Sequence, residues 1–440
     1  VTTPRLTVIG TGYLGATHAI CMAVLGFEVL GVDVDEQKIA RLAAGEVPFF
    51  EPGLPELLTK ALESGRLRFT TSFAEAAEFG DVHFICVGTP QQKGSHAADM
   101  TYVDASVTAL ARHLTRKALV VGKSTVPVGT AARLTALVKE IAPAADEVEL
   151  AWNPEFLREG FAVEDTMKPD RLVFGVASGW AEERLRAAFE PVLAQGVPVK
   201  VTDLATAELV KVAANSFLAT KISYINAMAE VCEATGADVS DLAEALAFDT
   251  RIGGRFLRPG LGFGGGCLPK DIRAFMARAE ELGVGQAVGF LREIDGINQR
   301  RRARTVDLVT ELAGGDVAGK KVAALGAAFK PDSDDIRDAP ALDVAGTLHR
   351  MGAEVTVFDP AAMENAKRVH PELAYGESAL DAARDADVVV LLTEWTEFRA
   401  IDPAAMAAVV AGKSIVDGRH ALDPAAWRAA GWEYRALGRP

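Results

Sequence analysis

Leu6-Thr7-Val8-Ile9-Gly10-Thr11-Gly12-Tyr13-Leu14-Gly15 is the stretch whose reading decides the fold. A short apolar run enters a GxGxxG pattern, and an apolar helical pattern continues to Leu25. Gly26 ends that helix, and Glu28 to Val32 reads as a second strand closing on Asp33. Strand, glycine loop, helix, strand and terminal acid, in that order, make a dinucleotide-binding unit. Gly10, Gly12 and Gly15 permit the tight turn and a close backbone approach to a pyrophosphate, with Tyr13 and Leu14 in the same turn. The helix N-terminus favours the phosphate charge, and Asp33 is placed to accept from ribose hydroxyls. A carboxylate there repels a 2′-phosphate, so NAD is expected over NADP, a preference moderated by Lys38 close by.

The segments that follow extend an open α/β sheet. Val82–Val87 is a buried strand ending in Gly88-Thr89-Pro90. Leu119–Val121 is the next, ending in Lys123-Ser124-Thr125-Val126-Pro127. Ligands of such sheets sit beyond the carboxyl ends of the strands, so Thr89, Ser124 and Thr125 are placed to touch cofactor or substrate. Capping of the following helices is the other use of these hydroxyls, and both can hold. Gln91–Met100 is a polar loop. Val148–Ala151 is a strand, after which Asn153 is expected to cap a short helix begun by Pro154, with Glu155 and Glu159 on one face. That pair is either a solvated face or one side of a site. Arg171–Val176 completes this half near residue 200.

Leu204–Ala234 reads as one long helix, with Leu209, Val212, Phe217, Leu218, Ile222, Ile225 and Met228 expected to be buried. Lys211 and Asn215, four apart, interrupt its apolar surface. Lys211 either snorkels to solvent or, beside a thiol, steadies an oxyanion. Val239–Phe248 continues helical, then comes a loop with Arg251, Arg255 and Arg258. Within it, Gly262-Phe263-Gly264-Gly265-Gly266-Cys267-Leu268-Pro269-Lys270-Asp271 leads to a helix expected over Pro269–Leu282. A cysteine ahead of that helix faces unpaired N–H groups and the positive dipole end, which favour a thiolate. Asp271 lies about one turn on. A lone cysteine would read as a buried structural thiol; the glycine run, Pro269 and Asp271 favour a reactive one. Arg300-Arg301-Arg302 reads as a solvated helix face. From Lys320 the strand–loop–helix–strand–acid plan repeats: Lys321–Leu325, a loop to Lys330-Pro331, the helix Ala339–Met351, then Glu354–Phe358 ending at Asp359. GxGxxG is absent there, so this half is expected to hold something other than a standard dinucleotide.

Composition limits the function. The chain has 440 residues and a formal net charge of −14. That excess of acid argues against nucleic acid or an anionic membrane as partner, and any anionic ligand must be met by local Arg and Lys. The chain is 49% hydrophobic and 24% charged, values of a globular enzyme. Four dispersed cysteines form no CxxC pair, which points to a reducing, cytoplasmic setting and no metal site. No apolar run is long enough to span a bilayer.

Eight motifs in order resemble the UDP-glucose/GDP-mannose dehydrogenase family over essentially the whole chain: GTGYLG, VGTP, STVPVGT, NPEFLREG, ELVKVAANSF, GFGGGCLPKD, GAAFKPDSDDIRDAP and DGR. One departure is Gly266, where the family commonly has Ser; little chemical effect is expected. The resemblance implies an α/β chain of three parts: an NAD-binding Rossmann domain over 1–200, a helical dimerisation domain carrying the cysteine loop over 201–305, and a nucleotide-sugar-binding α/β domain over 306–440. It implies a four-electron oxidation of a sugar CH₂OH to a carboxylate by two NAD⁺ in succession. UDP-glucose is the first substrate expected, with GDP-mannose or a UDP-N-acetylhexosamine as alternatives. Cys267 would be the nucleophile. Lys211 and Asn215 would stabilise the oxyanion, and Asp271, Glu159 and Thr125 would handle water. Glu155, Phe156, Leu157, Arg158 and Glu159 would line the sugar pocket. Arg251, the run Phe256-Leu257-Arg258-Pro259-Gly260, Gly264, Lys330 and Arg419 would hold the nucleotide sugar. Ser124, Thr89, Glu159 and Arg337 would reach the cofactor. Two rivals need less of this set: a two-electron 3-hydroxyacid-type dehydrogenase, and a non-enzymatic NAD-sensing protein.

Overall fold

The computed structural model describes residues 3–440. They form two compact units, 3–214 with 273–285, and 215–272 with 286–440.

The first unit is built on eight strands: β1 Leu6–Ile9, β2 Val29–Val32, β3 Leu67–Thr70, β4 Val82–Ile85, β5 Ala118–Gly122, β6 Val148–Trp152, β7 Leu172–Gly175 and β8 Val199–Thr202. Their order in the sheet is β3-β2-β1-β4-β5-β6-β7-β8. Strands β1, β2, β4 and β5 are buried along their whole length. Continuous apolar runs suit this position, because helices cover both faces of a parallel sheet. The register puts Ile9 beside Val32 and Ile85, so the loops after β1, β2 and β4 open at one sheet edge. One junction departs from the parallel pattern: β6 meets β7 antiparallel, at Trp152 and Gly175. An antiparallel neighbour needs no crossover helix, and the connection 153–171 contains only the short helix Ala162–Met167.

In the second unit the strands β9 Lys321–Leu325, β10 Glu354–Phe358, β11 Ala374–Tyr375, β12 Val388–Leu391, β13 Ser414–Asp417 and β14 Glu433–Ala436 pair in the order β11-β10-β9-β12-β13-β14, all parallel. The repeat of the N-terminal plan is therefore real at the level of backbone. The helices Val239–Ala247 and Phe290–Leu312 belong to this unit.

The long helix runs Leu204–Thr235. Its burial inverts part of the sequence reading. Lys211 and Asn215 are buried, while Leu209 and Phe217, expected inside, are exposed, Phe217 by 66%. Phe217, Tyr224 and Val231 are all exposed and recur every seven residues, which places them along one stripe of the helix. Val212 and Ile225 are buried as expected, and Leu218, Ile222 and Met228 are partly buried. The basic run also differs from expectation. Arg301 and Arg302 are buried, Arg301 to 1% exposure, and only Arg300 points outward. Arg301 meets Glu233 at 2.6 Å, and Arg302 meets Asp338 at 3.0 Å. These partners lie far away in sequence, so nothing local marked the run as internal.

Candidate active site

The glycine loop follows β1. A Cβ on Gly15 would stand 1.7 Å from the Gly10 carbonyl oxygen, so glycine is required for helix and loop to meet. A Cβ on Gly12 would meet no protein atom within 4 Å. Packing therefore does not explain that glycine, whereas close approach of a ligand pyrophosphate does. The loop fits NAD on this ground. Asp33 holds the loop: its Oδ2 accepts from the Thr11 N–H at 2.8 Å, the Thr11 hydroxyl at 3.0 Å and the Lys38 ammonium at 3.0 Å. Burial alone would raise the Asp33 carboxyl, but the N–H of Thr11, the Lys38 ammonium and the N–H of Asp35 outweigh it and hold it below the usual carboxylate range.

The hydroxyls after β4 and β5 do not cap helices. Thr89 donates to the Thr125 carbonyl at 2.8 Å and Ser124 to the Val87 carbonyl at 2.6 Å, which ties the two loops together. The next helix, Thr130–Ile141, is instead served by Glu208 of the long helix. Its carboxylate accepts from Gly129 N–H at 2.8 Å and Ala131 N–H at 2.6 Å. Arg278 adds a bond to the Val128 carbonyl at 3.0 Å. Thr125 is thereby held in a braced loop. Sequence reasoning missed both braces, since each lies more than 70 residues away.

Segment 153–158 is not the helix expected after Pro154; it is irregular, with a turn at 159–160. Asn153 cannot serve as a cap because its side chain is committed elsewhere. It accepts from the buried Lys123 ammonium at 2.8 Å and donates to the Val173 carbonyl at 2.9 Å. Two residues on, Glu155 accepts from the Leu157 N–H at 2.5 Å and meets the Lys211 ammonium at 3.0 Å. Lys211 thus does not snorkel. It also lies 5.7 Å from the centre of the Phe156 ring, and Arg171 lies 3.9 Å from the same ring. Arg158, expected at the sugar, makes a bidentate pair with Asp165 on the surface. Glu159 is half-buried beside the turn.

The cysteine helix runs Leu268–Glu281. Cys267 is exposed at its head, and its carbonyl accepts the N–H of Asp271 at 2.9 Å, the first bond of the helix. Asp271 is 2% exposed. It accepts from Asn215 Nδ2 at 2.7 Å and from the Lys270 ammonium at 2.6 Å. Asn215, Cys267 and Asp271 are thus brought together as expected. The loop ahead of them is pinned from several directions. Asn298 both accepts from the Phe263 N–H at 2.7 Å and donates to its carbonyl at 2.8 Å. Arg419 donates to the carbonyls of Gly262, Phe329 and Leu392. That residue, expected to hold ligand, also ties three chain segments together. A Cβ on Gly264 would stand 2.3 Å from the Asp338 carbonyl oxygen, and one on Gly266 would stand 2.3 Å from Cζ of Arg337. Arg337 also pairs with Asp335 at 2.6 Å. The departure at Gly266 therefore has a physical correlate, because the Arg337 side chain fills the space a serine Cβ would need.

The remaining expected contacts are scattered. Arg251 is exposed and pairs with Asp249 at 2.6 Å. Phe256 is exposed in a left-handed conformation, φ 63°. Leu257 packs into a small core with Ile225, Ala229, Cys232 and Val239. Arg258 is exposed, Pro259 and Gly260 are buried, and the Gly260 N–H donates to Asn226 at 2.9 Å. Lys330 lies 5.7 Å from the centre of the Phe329 ring. Among the described residues, no cluster of His, Cys, Asp and Glu has the arrangement of a metal site, and no helix is long and apolar enough to cross a membrane.

A mostly parallel sheet with a glycine loop, an acid at the end of β2 and a second Rossmann-like sheet defines the class: an NAD-dependent oxidoreductase. Three models of one family match the chain in sequence order. They are the NAD binding domain of the UDP-glucose/GDP-mannose dehydrogenase family at residues 4–193, its central domain at 205–300, and its UDP binding domain at 323–424. The UDP-glucose 6-dehydrogenase of Rhizobium meliloti is 41% identical over 438 residues, covering 99% of this chain and 100% of that protein. A UDP-glucose 6-dehydrogenase of Bacillus subtilis is 38% identical, covering 99% and 93%. Among solved structures, a UDP-glucose dehydrogenase from Pyrobaculum islandicum superposes with a TM-score of 0.91 at 38% identity, covering 100% of this chain and 98% of that one. The chain belongs to the UDP-glucose/GDP-mannose dehydrogenase family.

Proposed function

We propose that the chain oxidises UDP-glucose to UDP-glucuronate, taking four electrons from C6 in two steps and consuming two NAD⁺ and one water. The observation that carries the reading is the exposed Cys267 at the head of its helix, with Asn215 and the buried Asp271 joined one turn away. Bound NAD supplies a two-electron hydride acceptor, replaced between the steps; Gly10, Gly12, Gly15 and Asp33 hold it. The first oxidation turns the C6 alcohol into an aldehyde. The Cys267 sulfur attacks that carbon, forming a C–S bond, and the carbonyl oxygen becomes an oxyanion. Lys211 and Asn215 donate to this oxygen; one such donor contributes about 3 kcal/mol to the transition state. Loss of the second hydride converts the thiohemiacetal to a thioester. Water, positioned and deprotonated by Glu159 and Asp271 together with Thr125, then adds to the carbonyl. The C–S bond breaks, and the thiolate leaves to be used again.

The choice of UDP-glucose is supported by relatives of that activity at 38–41% identity. A UDP-D-ManNAc dehydrogenase from Pyrococcus horikoshii is 26% identical. A match to a UDP binding domain at 323–424 has no use in a two-electron 3-hydroxyacid enzyme. The division into NAD-binding, dimerisation and nucleotide-sugar parts at about 200 and 305 serves this reaction. We further infer a cytoplasmic homodimer, supported by the exposed stripe Phe217, Tyr224 and Val231 on the long helix and by the buried thiols Cys21, Cys86 and Cys232. The test is stoichiometric: excess NAD⁺, a limiting known amount of UDP-glucose, and NADH counted at completion. Two NADH per sugar is expected. One would mean release of the aldehyde and would remove Cys267 from the mechanism. None with UDP-glucose but two with GDP-mannose would keep the chemistry and change the substrate.

A further inference from the structure

Glu51 lies in the loop between the helices Glu36–Ala43 and Leu54–Glu63, and no motif of the reaction includes it. It is 3% exposed, yet no cation pairs with it among the contacts described. Its carboxylate gathers four donors from two distant segments. The Tyr13 hydroxyl, from the glycine loop, donates to Oε2. The Gly160 N–H donates to the same oxygen at 2.8 Å, and the N–H groups of Ala162 and Val163 donate to Oε1 at 2.7 and 3.3 Å. Gly160 also donates to the Tyr13 oxygen at 3.1 Å, closing a triangle. Burial first, then the adjoining carboxylate, pushes the Tyr13 phenol well above its ordinary value, so Tyr13 remains a donor.

Capping of the short helix Ala162–Met167 explains two of these bonds but not the other two. Gly160 precedes the helix, and Tyr13 belongs to the cofactor loop. Glu159 is bonded directly to Gly160, so fixing the Gly160 N–H fixes the peptide that carries Glu159. We propose that Glu51 is a positioning residue: it locks the Glu159 turn to the Tyr13 turn, so that the group handling water and the loop holding the cofactor share one anchor. This rests on the four-electron reading above, in which Glu159 serves thioester hydrolysis.

The test compares wild type with Glu51→Gln, Glu51→Asp and Tyr13→Phe, as full chains with NAD⁺ and UDP-glucose. Steady-state rates are read beside intact-mass spectra of acid-quenched samples. With Glu159 displaced by about 1 Å, turnover of E51Q is expected to fall roughly 100-fold. Because hydrolysis is the step affected, a sugar adduct on Cys267 should accumulate. E51D should lie between E51Q and wild type, and carries the test if E51Q does not fold. Y13F should raise the KM for NAD⁺ without adduct. Slow turnover of E51Q or E51D with no adduct would reduce Glu51 to a structural residue and overturn the proposal. So would wild-type rates in both, while wild type yields two NADH. One NADH from wild type overturns the four-electron reading instead, and this inference with it.

Discussion

Replacing Lys211 with Met separates stability from catalysis at one residue. Its ammonium and the Glu155 carboxylate are 3.0 Å apart, with side chains 6% and 13% exposed. Removing one partner of a buried pair leaves the other charge uncompensated and costs about 3–5 kcal/mol. The lower end applies here, because Lys123 is also buried close by and feels Glu155 favourably, and Glu155 keeps its bond from Leu157. With a urea m-value of about 3 kcal/mol per M, a 3 kcal/mol loss lowers the unfolding midpoint by about 1 M. Replacing both partners, Lys211→Met with Glu155→Met, removes the stranded charge, and the midpoint should return to within about 0.3 M of wild type, since buried pairs are commonly neutral against apolar substitutes. Turnover should behave differently. Both proteins lack the oxyanion donor, so kcat should fall about 100- to 1000-fold in each. Urea melts with fixed m-values and initial rates on UDP-glucose check the two halves. A double variant as unstable as K211M would refute the reasoning about the ion pair. A double variant with restored turnover would refute the oxyanion role.

Asp33→Asn should weaken NAD⁺ binding by about tenfold, the loss of roughly 1.4 kcal/mol from a charge-assisted bond, measured by titration of the free chain. The folded carboxyl lies below its unfolded value of about 3.9. Its contribution to stability is therefore complete above that value and fades as pH falls through the lower folded one, so the stability curves of wild type and D33N should converge below about pH 4. Gly264→Ala should destabilise strongly, because the added Cβ meets the Asp338 backbone at 2.3 Å, whereas Gly266→Ser should fold, because only the end of the exposed Arg337 side chain must move. Thermal melts of the two variants compare them directly. Tyr224→Glu, on the exposed stripe, should shift the chain from dimer to monomer in light scattering while leaving the unfolding midpoint of dilute protein nearly unchanged.

The sequence revealed what local pattern controls. β1, β9 and β10 match their expected limits, and the cysteine helix starts one residue early. The short, partly polar strands β3, β8, β11 and β14 were missed, since edge strands carry little periodic signal. At the site, residue types were legible and commitments were not. The loop 153–158 reads as a helix start because Asn-Pro is a common one, yet Lys123, thirty residues earlier, takes the Asn153 side chain. Arg419 is implied at the nucleotide sugar by the resemblance, and its bonds to three carbonyls from three loops were not legible. Glu51, Glu208 and Asn298 carry no motif of their own. Each is visible only once the chain is folded.

The two sheets show why the same plan does different work. Each ends its second strand in an aspartate that holds the first loop. Asp33 takes two backbone N–H groups, from Thr11 and Asp35, and two side-chain donors, the Thr11 hydroxyl and the half-buried Lys38. Asp359 takes four backbone N–H groups, from Ala327, Ala328, Ala361 and Ala362, and the Trp395 indole. A carboxylate offers about four acceptor positions. At Asp33, two are held by side chains that can rotate away when ribose hydroxyls arrive. At Asp359, every one is held by backbone or by a buried ring. In the second sheet the acid serves as a brace. Its ligand edge is left to bind by other means, in agreement with a match to a UDP binding domain and not to a dinucleotide one.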